Sequence, residues 1–347
     1  MLKVKLHNAE RDKLSFHMLL DNRGLLKECG IDIITDDSSY DVTVLGFKSL
    51  NKYIHDKSYQ ECFDMTHNLI ERIEGPIWIW DTDDSASLIG VYEHLKNPKI
   101  QYVFKQFRKS KHDYEIESVF GRSYWKDDSH EFSQSYKLSN DEYNKLKLTG
   151  YNHGHHLIKN MPEFVRLCQT NITMNEIRQR KMIHVNGLMQ LNHPGRKFYN
   201  YDSGHFYTRH RQSVCDKILK LSNKNRTCVV GQAPFNITNA NMSHSLITIS
   251  PAGMGASCFR DFEAIANYSI LCKSELNDII TYPNIFINSY VQCNKDYDNL
   301  DETISEILEN YNEHIETLIQ TKSNLLEIYS NENWIRYFIN TLNKEDN

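Results

Sequence analysis

The chain has 347 residues, a net charge of −5, 40% hydrophobic and 24% charged residues. That length suits two domains with a core each, and the charge excludes a protein that holds nucleic acid mainly through its backbone. Eight cysteines without a CxxC spacing, a strand-like start Met1-Leu2-Lys3-Val4-Lys5-Leu6 and no long apolar run predict a reduced, cytoplasmic protein with neither signal peptide nor membrane span.

The first part alternates strands and helices. Lys3–Leu6, Asp32–Thr35, Val42–Leu45, Ile77–Trp80 and Ile100–Phe104 read as strands. Phe16–Glu28, Tyr59–Ile73 and Ser87–Lys96 read as helices. Short apolar strands separated by helical patterns predict a parallel sheet with helices on both faces, and ligands then sit at the carboxyl ends of the strands.

Three features in this part carry candidate chemistry. Asp81-Thr82-Asp83-Asp84-Ser85 follows the apolar strand Ile77-Trp78-Ile79-Trp80. Its carboxylates read either as a general base, with a pKa raised by crowding and partial burial, or as an N-cap with acids in the first turn. Lys105-Gln106-Phe107-Arg108-Lys109-Ser110-Lys111 carries four cations and one interleaved aromatic. It reads as a solvated face or as a site for an acidic or nucleic-acid acceptor. Residues 125–145 are charged and low in aliphatics, as a surface loop and short helix would be. Tyr151-Asn152-His153-Gly154-His155-His156 lies near the expected domain junction. It reads as a loop, as a cleft-lining acceptor contact through His153 and His155, or as a metal site, although no carboxylate or cysteine stands at ligand spacing.

The second part begins near Arg178, with Met182–Val185 as its first strand and Asn186-Gly187 as the turn that leaves it. His193-Pro194-Gly195 and Tyr201-Asp202-Ser203-Gly204 mark a long loop. A helix is predicted to open at His205, with Arg209 and Arg211 close to its start. Cations there oppose the dipole, so a nearby diphosphate would explain them. Thr227–Val230 is a strand, Ile237–Ser245 a short helix, and Leu246–Ile249 a buried strand. Next comes Ser250-Pro251-Ala252-Gly253-Met254-Gly255-Ala256-Ser257-Cys258-Phe259-Arg260-Asp261-Phe262-Glu263. Gly253 and Gly255 allow close backbone approach, and the helix that follows offers N–H groups and a positive dipole end to phosphate. Arg260 adds a bidentate donor, and Glu263 lies one turn on, where a carboxylate accepts two sugar hydroxyls. From Asp301 to Thr341 the apolar spacing is helical.

The stretch Ser-Pro-x-Gly-x-Gly-x-x-Cys-Phe-Arg-Asp-Phe-Glu resembles the donor-site signature of a group of GT-B glycosyltransferases, distantly similar to the exostosin-like ones. Ala264–Lys273, Tyr282-Pro283-Asn284-Ile285-Phe286 and Tyr290-Val291 match the segments that follow it there. The resemblance covers residues 180–310, and it departs at Ala256, where the family often has an acid. It implies an α/β protein with two Rossmann-like domains facing a cleft: an acceptor-side domain over 1–175, a nucleotide-sugar domain over 176–310, and C-terminal helices over 311–347 packing back on the first. It implies a metal-independent transferase without cofactor, whose co-substrate is a nucleotide-diphosphate sugar and whose acceptor is a hydroxyl. Arg209, Arg211, Gly253, Gly255, Ser257, Cys258, Arg260 and Glu263 would hold the donor. A base among Asp81, Asp83 and Asp84 would activate the acceptor, with Arg211 stabilising the leaving diphosphate. Two rivals accompany this reading. One is transfer to a hydroxymethylated base in DNA, with Lys105–Lys111, Arg178, Arg180 and Lys181 on phosphates. The other is a nucleotide-sugar-binding or metal-dependent hydrolytic module centred on His153, His155 and His156.

Overall fold

The structure, a computed structural model, describes residues 1–9, 13–36, 38–46, 59–82, 88, 90–116, 134–191, 202–251, 257–276, 278–284 and 289–343. Five predicted strands of the first part form: β1 (Leu2–Leu6), β2 (Ile31–Ile34), β3 (Val42–Gly46), β4 (Ile77–Asp81) and β5 (Ile100–Lys105). Three more follow, β6 (Arg108–Lys109), β7 (Asp113–Ile116) and β8 (Gln134–Lys137), before β9 (Leu146–Leu148) completes a sheet of order β2-β1-β3-β4-β5-β9. Every pairing in that sheet is parallel. All residues of β3 and β4 are buried, as a parallel sheet covered on both faces requires.

The second sheet contains β10 (Ile183–Leu188), β11 (Cys228–Gly231), β12 (Ser245–Ile249), β13 (Ile270–Ser274) and β15 (Tyr290–Cys293), in the order β11-β10-β12-β13-β15. It too is wholly parallel. Between its last strands runs β14 (Ile279–Ile280), which pairs antiparallel with β6 and so ties the two halves together. The architecture is therefore the expected one, two parallel α/β halves. In each sheet the order of the strands reverses, between β1 and β3 and between β10 and β12, and that reversal opens a crevice at their carboxyl ends.

The chain passes between the cores twice. Tyr151 is buried in the core of the first half and Leu157 in that of the second; Tyr329 returns the path and Trp334 and Phe338 re-enter the first core. Trp334 Nε1 donates to Thr149 O at 3.0 Å, and Phe338 lies against Trp78, Trp80 and Phe104. The two crossings touch: His155 meets Tyr329 edge-on at 5.0 Å, and Asn152 Nδ2 donates to Tyr329 Oη at 3.4 Å.

Several local expectations are corrected. Phe16–Glu28 is two helices, Lys13–Asp21 and Arg23–Glu28, parted at Asn22. Within the described part of Ser87–Lys96 the helix shrinks to one tight turn at Tyr92–His94, after Gly90 takes a φ of +73°. Asn186-Gly187 does not leave the strand. Both lie inside β10, because helix Asp202–Leu221 crosses so closely that a Cβ on Gly187 would stand 2.4 Å from Ile218 Cδ1. That helix begins at Asp202, so residues 202–204 are not loop and Arg209 and Arg211 lie two turns in.

Candidate functional site

The signature stands at the switch point of the second sheet, running from the end of β12 into helix Phe259–Ala266. Its centre is a buried ion pair. Asp261 and Lys273 are both 0% exposed, with Lys273 Nζ 3.0 and 2.9 Å from the two carboxylate oxygens. Ser250 Oγ donates to Asp261 Oδ1 at 2.5 Å, and the N–H of Cys258 donates to Oδ2 at 2.9 Å. One carboxylate thus joins the end of β12, the end of β13 and the helix N-cap. Tyr297 braces the same junction, accepting from the N–H of Ser274 at 2.7 Å and donating to Ser250 O at 3.3 Å. Lys273 neutralises Asp261, which leaves the helix N-terminus free to attract an external anion. Cys258 is expected to help hold the donor, and its N–H is taken by Asp261. Asp261 and Lys273 were not singled out from sequence. The spacing Cys-x-x-Asp at a helix start is a capping-box pattern that signals the first of them.

Among the described residues, two polar atoms of this stretch have no hydrogen-bond partner, and beside them lies a buried carboxyl. Ser257 is 3% exposed and its Oγ makes no hydrogen bond. The Nε of Arg260 is buried without a partner. Glu263 is 8% exposed, and burial pushes its carboxyl up to about 7, while the nearby Arg260 pulls it down and Asp261 pushes it further up. Buried polar groups are nearly always satisfied, so two exceptions beside a buried carboxyl at one switch point suit a site that a ligand would complete. Gly253 and Gly255 lie outside the described residues.

Arg211 lies beside the end of β10, the strand that pairs with β12. It is buried, and its Nη1 donates to Gln190 O at 2.9 Å, just beyond the end of β10. The charges of Arg211 and Arg260 are both felt at Cys215, whose thiol is raised mainly by burial. Arg209 is exposed instead, because two residues along a helix turn the side chain to another face.

The histidine segment is a helix, His153–Asn160, rather than a loop. Asn152 caps it by accepting from the N–H of Gly154 at 2.8 Å. His153 and His156 lie against Phe259 at 4.5 and 5.3 Å, so the segment meets the start of the signature helix. His155 points elsewhere, buried against Tyr151 and Tyr329, and burial drives its pKa down to about 3. Among the described residues no group of three or more His, Cys, Asp or Glu is placed to hold a metal ion, and no helix is long and apolar enough to cross a membrane.

In the first half, Asp81 is buried and ion-paired with Lys105, its neighbour across β4 and β5. A base role for Asp81 would require breaking that pair. Asp83 and Asp84 lie outside the described residues. The same pair removes Lys105 from the basic run. Arg108 donates to Leu146 O at 2.9 Å, and Lys111 pairs with Asp278 at 2.8 Å. Arg178 binds Asn312, and Lys181 donates to Met242 O and Asn267 O. Lys105, Arg108, Lys111, Arg178 and Lys181 thus each make an intramolecular contact, while the Lys111 side chain stays 65% exposed. The hollow of about 870 Å³ at the amino ends of β4 and β5, beside Pro76, Lys99 and Lys145, is at the wrong end of its sheet for a switch-point ligand.

No protein-family model and no curated protein matches the sequence. Among solved structures, the fold is similar to a glycosyltransferase from Rickettsia africae ESF-5 (11% identity, 99% of each chain covered, TM-score 0.42). An E. coli structure described as trehalose-6-phosphate with UDP-2-fluoro glucose gives 9% identity, 99% of each chain and a TM-score of 0.46. The Anabaena protein HepE with UDP-glucose gives 10%, 99% and 100%, and 0.44. Likenesses this distant decide nothing about chemistry, which rests on the geometry above.

Proposed function

We propose that the protein is a GT-B glycosyltransferase that moves a sugar from a nucleoside-diphosphate donor to a hydroxyl acceptor, with no metal or other cofactor. The observation that carries this is the placement of Ser257 and Arg260, each with a buried polar atom that has no hydrogen-bond partner among the described residues, and of the buried carboxyl of Glu263 at the switch point of the second sheet. Each part answers a demand of the reaction. Charge develops on the leaving diphosphate, and preorganised donors aimed at it lower the barrier. Arg260, Arg211, the Ser257 hydroxyl and the backbone N–H groups of Gly253 and Gly255 supply them. Glu263 accepts ribose hydroxyls. The second sheet is then the donor half, and the first faces it with the acceptor. His153, against Phe259 at the start of the donor helix, stands on the acceptor side. Because Asp81 is held by Lys105, the base is assigned to Asp83, Asp84 or His153.

The test is calorimetric titration of wild type and Arg260→Ala with uridine, guanosine and adenosine diphosphates. One of the three is expected to bind. Arg260→Ala should weaken it by about 1.5–3 kcal/mol, the range for hydrogen bonds to charged groups. No binding of any diphosphate by the wild type would overturn the reading.

A further inference from the structure

The tie between β6 and β14 is built more strongly than two short strands require. In the first half, the N–H of Lys109 donates to Tyr114 Oη at 3.1 Å, Tyr143 Oη donates to Lys109 O at 3.0 Å, and Arg108 lies over the Tyr143 ring. β6 is thus fixed to its own half before β14 reaches it. From the second half comes the arm that leaves β13 after Ser274. The N–H of Ser110 donates to Asp278 O at 2.7 Å, Lys111 pairs with Asp278 at 2.8 Å, and Ile279 packs against the core of the first half. Leu276, near the arm's root, touches the cores of both halves. Beyond β14, Tyr282 stacks on Tyr337 at 3.7 Å, and Tyr337 belongs to the returning crossing.

We propose that this ribbon is a clasp that fixes the angle between the two halves and so sets the width of the crevice. The two crossings touch at His155 and Tyr329 and together make one pivot. Halves joined by a pivot alone turn about it, because relative motion is the default where no large apolar interface opposes it. The ribbon is rooted elsewhere, at the end of β13, and a tie rooted apart from a pivot stops rotation about it. Its apolar anchors carry the hold. Lys111 is mostly solvated, so its pair with Asp278 contributes little. Ile279 and the Tyr282–Tyr337 stack bury aliphatic and ring surface instead. Groups on opposite sides of a crevice of fixed width are preorganised, which spares ordering cost on binding. The inference goes beyond the donor-site reading and does not depend on it.

The experiment uses the full chain without ligand, so its failure leaves the donor site standing. Small-angle scattering compares wild type with Ile279→Asp/Tyr282→Ala, and circular dichroism checks that both keep the same secondary structure. The variant is expected to show a larger radius of gyration and a broader distribution of interatomic distances, as halves swinging on the pivot would give. A folded variant whose scattering matches wild type would overturn the clasp, because the crossings alone would then hold the angle. Hydrogen exchange of the wild type gives a second measurement should the variant not fold. The Ser110 amide, which donates across the ribbon, is expected to exchange about 100-fold or more slowly than in an unstructured chain, as a ribbon closed nearly all the time requires. Exchange of that amide at the unstructured rate would show the ribbon open in solution and would also overturn the inference.

Discussion

Glu263 concentrates the case at the scale of a residue. Burial, against the pull of the nearby Arg260, holds its carboxyl at about 7, where the ordinary value is 4.5. The folded state therefore keeps that proton more tightly than the unfolded state. The associated stability is full below pH 4.5 and is lost as pH rises toward 7. At about 1.4 kcal/mol per pH unit, an ionised Glu263 costs the ligand-free fold on the order of 3 kcal/mol above pH 7. Hydroxyl donors from a bound ribose reverse the sign by favouring the carboxylate. Nucleotide affinity is thus expected to rise from pH 6 to 8, with proton release near pH 7, measurable by calorimetry in buffers of different ionisation enthalpy. Glu263→Gln should lose both effects and melt higher than wild type at pH 8. Affinity independent of pH, with no proton released, would remove the ribose from Glu263.

Among elements, the helix His153–Asn160 fixes where the signature helix lies. The two pack so closely at Gly154 that an added Cβ would stand 2.9 Å from Phe262 Cε1 and from Tyr329 Cε1. Both rings are buried in the core of the second half, so neither can swing aside. Alanine favours helix over glycine by about 1 kcal/mol, and overpacking a core costs about 1–3 kcal/mol. Gly154→Ala is therefore expected to lower the melting temperature and to raise the Kd for nucleotide by pushing Phe259–Ala266 away from Arg211. A variant that melts higher and binds normally would show that the helices do not abut there.

For the whole molecule, acid should loosen both halves at once. His94 in the first half, His155 at the crossing and His210 in the second half are all held low mainly by burial, at about 4, 3 and 4. Unfolding lets each return to about 6.5, so the unfolded chain binds more protons and stability falls as pH drops below 6.5. His155 sits where both crossings meet, with neither ring nitrogen hydrogen-bonded among the described residues. His155→Phe keeps an aromatic ring against Tyr151 and Tyr329 and removes the proton site. Its urea-unfolding free energy should fall less steeply than that of wild type between pH 6 and 4.5, by about 1.4 kcal/mol per pH unit. Identical slopes would mean that His155 titrates as an exposed histidine does.

Apolar runs and their spacing determined the two sheets, since strands such as β4 are hydrophobic throughout and need cover on both faces. The signature marks the end of β12 as the expected place for a ligand, because ligands sit at the switch point of such a sheet. Tertiary structure decided which side chains remain available there. Local sequence presents Asp81, Lys105 and Lys111 as charges free to act. Strand pairing buries Asp81 with Lys105, and the β6–β14 bridge carries Lys111 to Asp278. Arg209 and Arg211 look alike until a helix beginning at Asp202 exposes one and buries the other. Asn186-Gly187 reads as a turn until a crossing helix requires the missing Cβ. Asp261 and Lys273 lie twelve residues apart, and only the parallel alignment of β12 with β13 brings them together. A charge buried by residues distant in sequence leaves no local pattern, because its cost is met by partners that the fold alone assembles.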